Sequence, residues 1–432
     1  MMRILIVTQI FLPEMGALSN RLYPIVRTLV EAGHEVYIAT GMPNYPAGKV
    51  FPEYRGKLFS SEKQDGYTIF RTAYLTAPRN KSKLIQLLSY LSFIPAVFAS
   101  GIRAGKVDVV FVSLPPPFPI LSAIALKMLR RAKLVVDMRD LWSDELVTYG
   151  ELNESSIWVR FVRSLERWGY RSADRVTSTT RSLLDTIIER GADRKKAVYL
   201  PNGADLELFG PLPPDNPIAN EYQFGDRFVV MYAGLFGIKH GLEVLLEAAE
   251  LLRDRKEIVF LLLGGGARRS ALFELVREKG LDNVIIGDER PVKDVPWIIA
   301  RSNVCFAAVR PAPYPRKVIS VKIFEYLACE KPVVGALEGE SAALVERSGG
   351  GIVVRPGDAH GVADAILQLY DDPERCGALG RTGRKYVEKE YSRTAWASLF
   401  EKEISGFGAS PSPGAEVAIL QGEASASPNA TD

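Results

Sequence analysis

The segment Ser320-Val321-Lys322-Ile323-Phe324-Glu325-Tyr326-Leu327-Ala328 carries the pattern best suited to chemistry. Ser320 suits a helix N-cap. The third helical position is Ile323, so no capping-box glutamate competes for the N–H groups of the first turn. Such an N-terminus attracts anions. Lys322 puts a full positive charge in that turn, where the helix dipole disfavours it by ~0.3–1 kcal/mol. A bound diphosphate would resolve the conflict. Glu325 lies three residues on, on the same face, where it would accept hydrogen bonds from ribose or sugar hydroxyls. The plain alternative is an i,i+3 ion pair on an exposed helix, worth only ~0.2–0.5 kcal/mol.

Four other loops could contribute. Met231–Ala233 runs into a loop holding Gly234, Gly237 and Gly241, whose backbone could approach a phosphate closely, with Lys239 or His240 adding charge. An ordinary strand-to-helix turn would need the same glycines. Leu263-Gly264-Gly265-Gly266 also follows a strand. Arg269 stands where a dinucleotide fingerprint needs its third glycine, so Gly264 reads as a strand-end position lining a cleft, and no NAD site is expected. In the first loop, Gln9–Asn20, Gly16 could present N–H groups to the same diphosphate. Ser19 or Asn20 would cap the next helix, and Arg21 is a second candidate phosphate contact. Asp137-Met138-Arg139-Asp140 ends a strand with three charged groups, marking either a cleft edge or a salt-bridged loop.

Absences narrow the chemistry. The histidines are His34, His240 and His360, none paired at metal-ligand spacing, and no Asp-x-Asp occurs to hold a divalent cation on a nucleotide-sugar. No G-x-S-x-G and no Walker loop is present. We therefore expect no metal and no cofactor. Three cysteines without a CxxC pair argue against a disulfide framework and fit a reducing compartment. A formal net charge of +3 over 432 residues leaves no nucleic-acid footprint.

These loops must be positioned by an alternation of short apolar strands and amphipathic helices, which means βαβ units and parallel sheets. Strands are expected at Arg3–Thr8, Val36–Thr40, Thr68–Thr72, Val107–Ser113, Lys133–Asp137, Arg175–Ser178 and Ala197–Leu200. A second series is expected at Arg227–Ala233, Ile258–Gly264, Asn283–Ile286, Val304–Ala308, Pro332–Val334 and Gly351–Val354. Between the two series, Asp205–Asp226 is rich in proline and reads as a linker or hinge. The chain is thus α/β, with two doubly wound Rossmann-like domains facing across a cleft. The first covers 1–205, with a C-terminal helix at about 392–404 packing back on it. The second covers 206–391, and 405–432 reads as a disordered tail. In such sheets ligands bind outside the carboxyl ends of the strands.

Leu84–Ile102 is a 19-residue run without charge, preceded by Arg79, Lys81 and Lys83 and followed by Arg103 and Lys106. It is long enough to span a bilayer. Strands on either side belong to one sheet, so the segment must return to the side it left. It is either a buried crossover helix or an interfacial one on anionic lipid. The N-terminus shows no signal peptide, and we expect a cytoplasmic protein, peripheral on the inner face of the cell membrane.

Several of these stretches resemble glycosyltransferase family 4, the retaining GT-B group, over about residues 1–400. Phe11–Ala17 matches its first loop and Gly33-His34-Glu35-Val36 the turn before its second strand. Pro201–Asp205 matches its interdomain crossover. Phe324–Ala328 with Lys331-Pro332-Val333-Val334 matches its donor-site helix. Pro43–Lys49 and Arg139–Trp142 look like the bacterial O-antigen and capsule branch, which includes N-acetyl-L-fucosamine transferase-like proteins.

The resemblance implies metal-free transfer, with retention, from a nucleotide-sugar (UDP-linked, N-acetylated sugars included) to a glycan or lipid-linked acceptor. Lys322, Glu325 and Asp140 would be catalytic. Gly16, Gly234, Lys239, His240, Gly264 and Ser320 would join Lys322 and Glu325 at the donor. Arg21, Asn44, Tyr45, Arg139 and Asp140 would face the acceptor. Closure would hinge near Gly203 and the C-terminal helix. Three positions depart from the family pattern: Lys317 replaces the first of two glutamates, and on the loop after the first strand of the second domain Leu235 replaces an arginine and His240 a lysine, with Lys239 one residue early. Diphosphate stabilisation would then rest on Lys322 and backbone N–H groups. A nucleotide-sugar epimerase and a non-catalytic scaffold in glycan assembly are the alternatives.

Overall fold

The computed structural model describes residues 1–14, 16–45, 47–78, 82–148, 152–311 and 317–408. It divides into two compact units, Met1–Pro201 with the chain from Thr394, and Asn202–Arg393. Arg79, Lys81 and the tail from 409 onward lie outside the described residues.

The first unit is built on β1 (Arg3–Val7), β2 (Glu35–Gly41), β3 (Phe59–Gln64), β4 (Tyr67–Thr72), β5 (Val109–Leu114), β6 (Lys133–Met138), β7 (Arg175–Ser178) and β8 (Ala197–Tyr199). Their order is β3-β4-β2-β1-β5-β6-β7-β8. Its helices are α1 (Ala17–Glu31), α2 (Lys83–Ile102), α3 (Pro119–Arg130), α4 (Trp142–Thr148), α5 (Ile157–Ser172) and α6 (Arg181–Glu189). The second unit carries β9 (Phe228–Ala233), β10 (Ile258–Leu263), β11 (Val284–Gly287), β12 (Val304–Ala308), β13 (Val333–Ala336) and β14 (Gly351–Val354), ordered β11-β10-β9-β12-β13-β14 and parallel throughout. Its helices are α7 (Pro217–Asn220), α8 (Glu243–Leu251), α9 (Arg269–Lys279), α10 (Val295–Arg301), α11 (Val321–Ala328), α12 (Gly339–Ser348), α13 (Ala359–Asp371) and α14 (Pro373–Glu390). Helix α15 (Arg393–Ser405) follows.

The central strands are apolar on both faces because helices cover both sides of each sheet. In β10, Ile-Val-Phe-Leu-Leu-Leu is buried at every position. Helix α15 feeds the core of the first unit: Phe400 meets Phe111 edge-on at 5.4 Å, and Trp396 meets Tyr199 at 5.4 Å.

Three expectations need correction. The first sheet is not wholly parallel, because β3 pairs antiparallel with β4. Its turn is Asp65-Gly66, both at positive φ (46° and 85°), as a two-residue hairpin requires. Residues 205–226 are not a loose linker. Phe209, Ala219 and Phe224 are buried in the second unit, and Asn216 donates to the Trp297 carbonyl at 2.9 Å. Helix α1 is capped by neither Ser19 nor Asn20. It begins at Ala17 after Gly16, and the Ser19 hydroxyl donates to the Glu14 carbonyl at 2.5 Å.

Candidate active site

In the second unit the carboxyl ends of β9 and β10 and the start of α11 come together. Tyr326 fastens α11 to β9: its hydroxyl accepts from the Ala233 N–H at 2.7 Å and donates to the Ala233 carbonyl at 3.2 Å. That bond sets Lys322 one turn earlier over the strand end. The Lys322 ammonium donates to the Tyr232 hydroxyl at 2.5 Å and lies 3.8 Å from the centre of its ring. Tyr232 in turn donates to the Leu235 carbonyl at 2.8 Å. Gly234, at φ 137°, makes room: a Cβ there would lie 3.0 Å from the Lys322 nitrogen. Burial pulls the Lys322 pKa down to about 7, with Lys239 adding to the effect and Glu325 opposing it. The helix start has the form expected. Ser320 is the N-cap, and its hydroxyl makes no capping bond.

Glu325 does not close an ion pair with Lys322. Its carboxylate lies 3.8 Å from the Arg393 guanidinium, which itself donates to the carbonyls of Gly203 at 3.0 Å and Asn202 at 3.3 Å. Burial raises the Glu325 pKa, and Arg393 and Lys322 oppose that rise. Lys239 and His240 sit on a short turn at Ile238–His240, and the His240 ring is 6.2 Å from that of Tyr232. Gly264 has a packing role as well. At φ 145° its missing Cβ would fall 2.0 Å from the Gly234 carbonyl, so the two strand-end loops meet backbone to backbone. Gly234, Lys239, His240, Gly264, Ser320, Lys322 and Glu325 thus share one sheet edge.

The other candidates sit in the first unit. Glu14 is fully buried, and its carboxylate accepts from the N–H groups of Asn44 and Tyr45, both at 2.8 Å, and from Phe11 at 3.4 Å. It pins the first loop to the loop after β2. Gly16 packs there against Tyr45, whose ring would stand 3.2 Å from an added Cβ. The Asn44 amide donates to the Tyr74 hydroxyl at 2.8 Å. Tyr74 lines a cavity of about 350 Å³ with Tyr54, Arg55, Lys57 and Leu58. Arg139 and Asp140 follow β6 at the same carboxyl edge. Arg139 donates to the Leu114 carbonyl at 3.2 Å, and burial lowers its pKa to about 10. Asp140 accepts from the Leu141 N–H at 2.9 Å.

Arg21 is engaged by Asp137. It is buried, with Nη2 2.7 Å and Nε 3.1 Å from the two oxygens of Asp137, and it donates to the carbonyls of Leu200 and Pro201. Thr177 and Ser113 donate to the same carboxylate at 2.7 and 2.8 Å. For Asp137 the ion-paired alternative holds, with Arg21 as the partner. Sequence reasoning missed Glu14, Tyr232, Arg393 and the Tyr54–Tyr74 cavity. Only Glu14, an acidic residue in a glycine-bearing loop, left a trace that reading could have used.

Two family models match the chain: a Glycosyl transferase 4-like domain over residues 16–203 and Glycosyl transferases group 1 over residues 227–372. The chain belongs to glycosyltransferase family 4. The match between its second model and the unit holding Lys322 and Glu325 makes this an enzyme that takes a sugar from a nucleotide-sugar donor. Over 415 residues this glycosyltransferase is 24% identical to an Escherichia coli K12 protein named as a colanic acid biosynthesis glycosyl transferase, WcaI, covering 94% of this chain and 100% of that one. Its fold matches sucrose-phosphate synthase from Thermosynechococcus elongatus with a TM-score of 0.75 at 21% identity, covering 95% of this chain and 100% of the other. It also matches Anabaena HepE in complex with UDP, with a TM-score of 0.69 at 18% identity and coverage of 94% and 100%. The fold is therefore GT-B.

Proposed function

We propose that this glycosyltransferase works with retention and without a metal, moving a sugar from a UDP-sugar to a glycan or lipid-linked acceptor in bacterial surface polysaccharide synthesis. The observation that carries the reading is the Lys322 ammonium, held over Tyr232 and Gly234 at the head of α11. A donor diphosphate there meets that ammonium and the N–H groups of the helix start, which stabilise the charge that develops on departure. The acceptor hydroxyl attacks from the face the diphosphate leaves, and a phosphate oxygen takes its proton. Glu325 holds the ribose hydroxyls, and Ser320, Lys239, His240 and Gly264 complete the donor side. Asn44, Tyr45, Arg139 and Asp140 serve the acceptor, with the Tyr54–Tyr74 cavity beside Asn44. The UDP preference is supported by the complexed state of Anabaena HepE, and the polysaccharide role by the name of the Escherichia coli relative. A lipid-linked acceptor brings the reaction to the inner face of the cell membrane, and apolar helix α2 supports that placement.

The test is thermal-shift titration with UDP, GDP, ADP and their sugars, in buffer containing EDTA. A ligand that binds only the folded protein raises its melting temperature by mass action. Stabilisation by uridine ligands alone, unaffected by EDTA, is expected. Stabilisation by GDP, or only with added divalent cation, would overturn the donor or the metal-free part. No stabilisation by any of them would leave a scaffold role.

A further inference from the structure

Helix α5 has its solvent side built the wrong way round for a soluble enzyme. Val159, Val162, Leu165 and Tyr170 face inward and are buried. At 100° per residue, Ile157, Phe161, Ser164 and Trp168 line the centre of the opposite side. Ile157 is 77% exposed, Phe161 49% and Trp168 50%; Trp158 beside them is 49% exposed. Arg160, Arg167 and Arg171 run along one flank of this stripe and are exposed. A soluble surface helix places polar residues where these aromatics stand.

The stripe is not isolated. Helix α5 packs on α3, where Gly169 lies against Ile120, and α3 packs on α2, where the Ser122 hydroxyl donates to the Ile94 carbonyl at 2.7 Å. The three helices form one layer on the same face of the first sheet. On α2, Leu84, Leu88, Leu91, Pro95 and Ile102 recur at helical spacing on the outer side and are exposed. Met128 and Leu129 of α3 are exposed between the two. Helix α2 joins β4 and β5 of one sheet, so it does not cross a bilayer despite its length.

We propose that the outer face of α2, α3 and α5 docks on an anionic lipid surface, with the Ile157, Phe161 and Trp168 side chains at the level of the headgroups and Arg160, Arg167 and Arg171 on their phosphates. Aromatic and aliphatic side chains beside arginines are what an interfacial helix uses. A second copy is the competing occupant; the arginine row beside the stripe matches lipid phosphate and favours the membrane. The docking deepens the reading of a lipid-linked acceptor and rests on it for its purpose, while its evidence is independent.

The test is co-sedimentation of the full chain with vesicles, either pure phosphatidylcholine or containing about a third phosphatidylglycerol. Binding to the anionic vesicles is expected, weakening as salt rises. Arg160→Glu and Arg171→Glu should each weaken it by about fivefold or more. Phe161→Ser with Trp168→Ser should abolish it, with melting temperatures taken alongside to separate lost docking from lost folding. Anionic-vesicle binding that survives these substitutions would overturn the proposal, as would no binding to either vesicle. So would a dimer in lipid-free solution that the same substitutions dissociate. Uridine-ligand stabilisation, measured on the same variants without lipid, separates failure of docking from failure of the donor reading.

Discussion

The ammonium of Lys322 lies 3.8 Å from the centre of the Tyr232 ring and 2.5 Å from its hydroxyl. Because Tyr232 spends its proton on the Leu235 carbonyl, its oxygen is fixed as an acceptor toward Lys322. The ring face and the oxygen replace part of the water shell that burial removes. Position 235 is a leucine and brings no charge to this loop. A cation reaches the Gly234–Leu235 loop from α11 instead.

Removing that cation should therefore cost catalysis more than folding. Lys322→Ala is expected to lower kcat by ~10²–10³-fold, the usual loss on deleting one group aimed at developing charge. Lys322→Arg should not rescue it, since a planar guanidinium is not equivalent to a compact ammonium held over the Tyr232 ring in a buried site. Tyr232→Phe keeps the ring and should have the milder effect. Initial rates with a UDP-sugar decide it. A Lys322→Ala enzyme of near-normal kcat would remove Lys322 from the mechanism.

The same burial predicts a proton linkage. Free Lys322 has its pKa pulled down to about 7, and a diphosphate beside it would push that value back up. Binding above neutrality must then take up a proton, and the association constant should fall about tenfold per pH unit once pH exceeds the free value. The diphosphate of a UDP-sugar is fully ionised in this range and contributes no proton of its own. Without ligand the sign is opposite. The folded-state value lies below the unfolded one, so the unfolded chain holds more protons between them, and stability rises with pH across that window. Calorimetric titration in two buffers of different ionisation enthalpy measures the uptake. It should approach one proton at about pH 8 and vanish in Lys322→Met. Uptake that persists in the variant would point to another group.

Arg21 and Asp137 call for a stability measurement. Burial alone would raise the Asp137 pKa, but Arg21, Thr177 and Ser113 outweigh it and the net shift is downward. The stabilisation is therefore present above the ordinary carboxyl range and lost as pH falls through it. Arg21→Ala strands a buried carboxylate and should cost ~3–5 kcal/mol. At ~2–4 °C per kcal/mol for a unit of this size, the melting temperature should drop by roughly 6–20 °C. Replacing both residues with apolar ones should restore most of it. If Arg21→Ala left stability intact and impaired only acceptor use, the ligand-contact reading would return.

These residues also show what the sequence could and could not reveal. Parallel strands such as Ile258–Leu263 announce themselves because burial on both faces demands an unbroken apolar run. The hairpin strand Phe59–Gln64 has only polar and charged residues after its first, so apolar content could not reveal it, although Asp65-Gly66 marks its turn. In 205–226 the prolines concealed three apolar anchors, Phe209, Ala219 and Phe224. Lys322 and Glu325 were legible as candidates because they lie on one helix turn. Their supports were not. Tyr232 looks like any residue of a buried strand, and the Arg21–Asp137 pair spans 116 positions. Long-range partners leave no local pattern to read.

Arg393 and Glu325 offer the sharpest separation of binding from chemistry. Arg393 is held by two carbonyls and approaches the Glu325 carboxylate at 3.8 Å, near enough to orient it without a direct hydrogen bond. If Glu325 holds the ribose hydroxyls, Glu325→Ala removes a charge-assisted hydrogen bond worth ~1.5–3 kcal/mol. KM for the donor should rise roughly 10–100-fold with little change in kcat, because that contact is alike in ground and transition states. Arg393→Ala should raise KM less, through a misplaced carboxylate. In a Glu325→Ala background it should add almost nothing, since the two residues act as one unit. A double-mutant cycle on donor KM measures this coupling, with melting temperatures taken alongside to account for the lost carbonyl bonds. Additive effects would mean that Arg393 only braces the backbone at Asn202 and Gly203. An unchanged KM in Glu325→Ala would move the ribose contact to another residue.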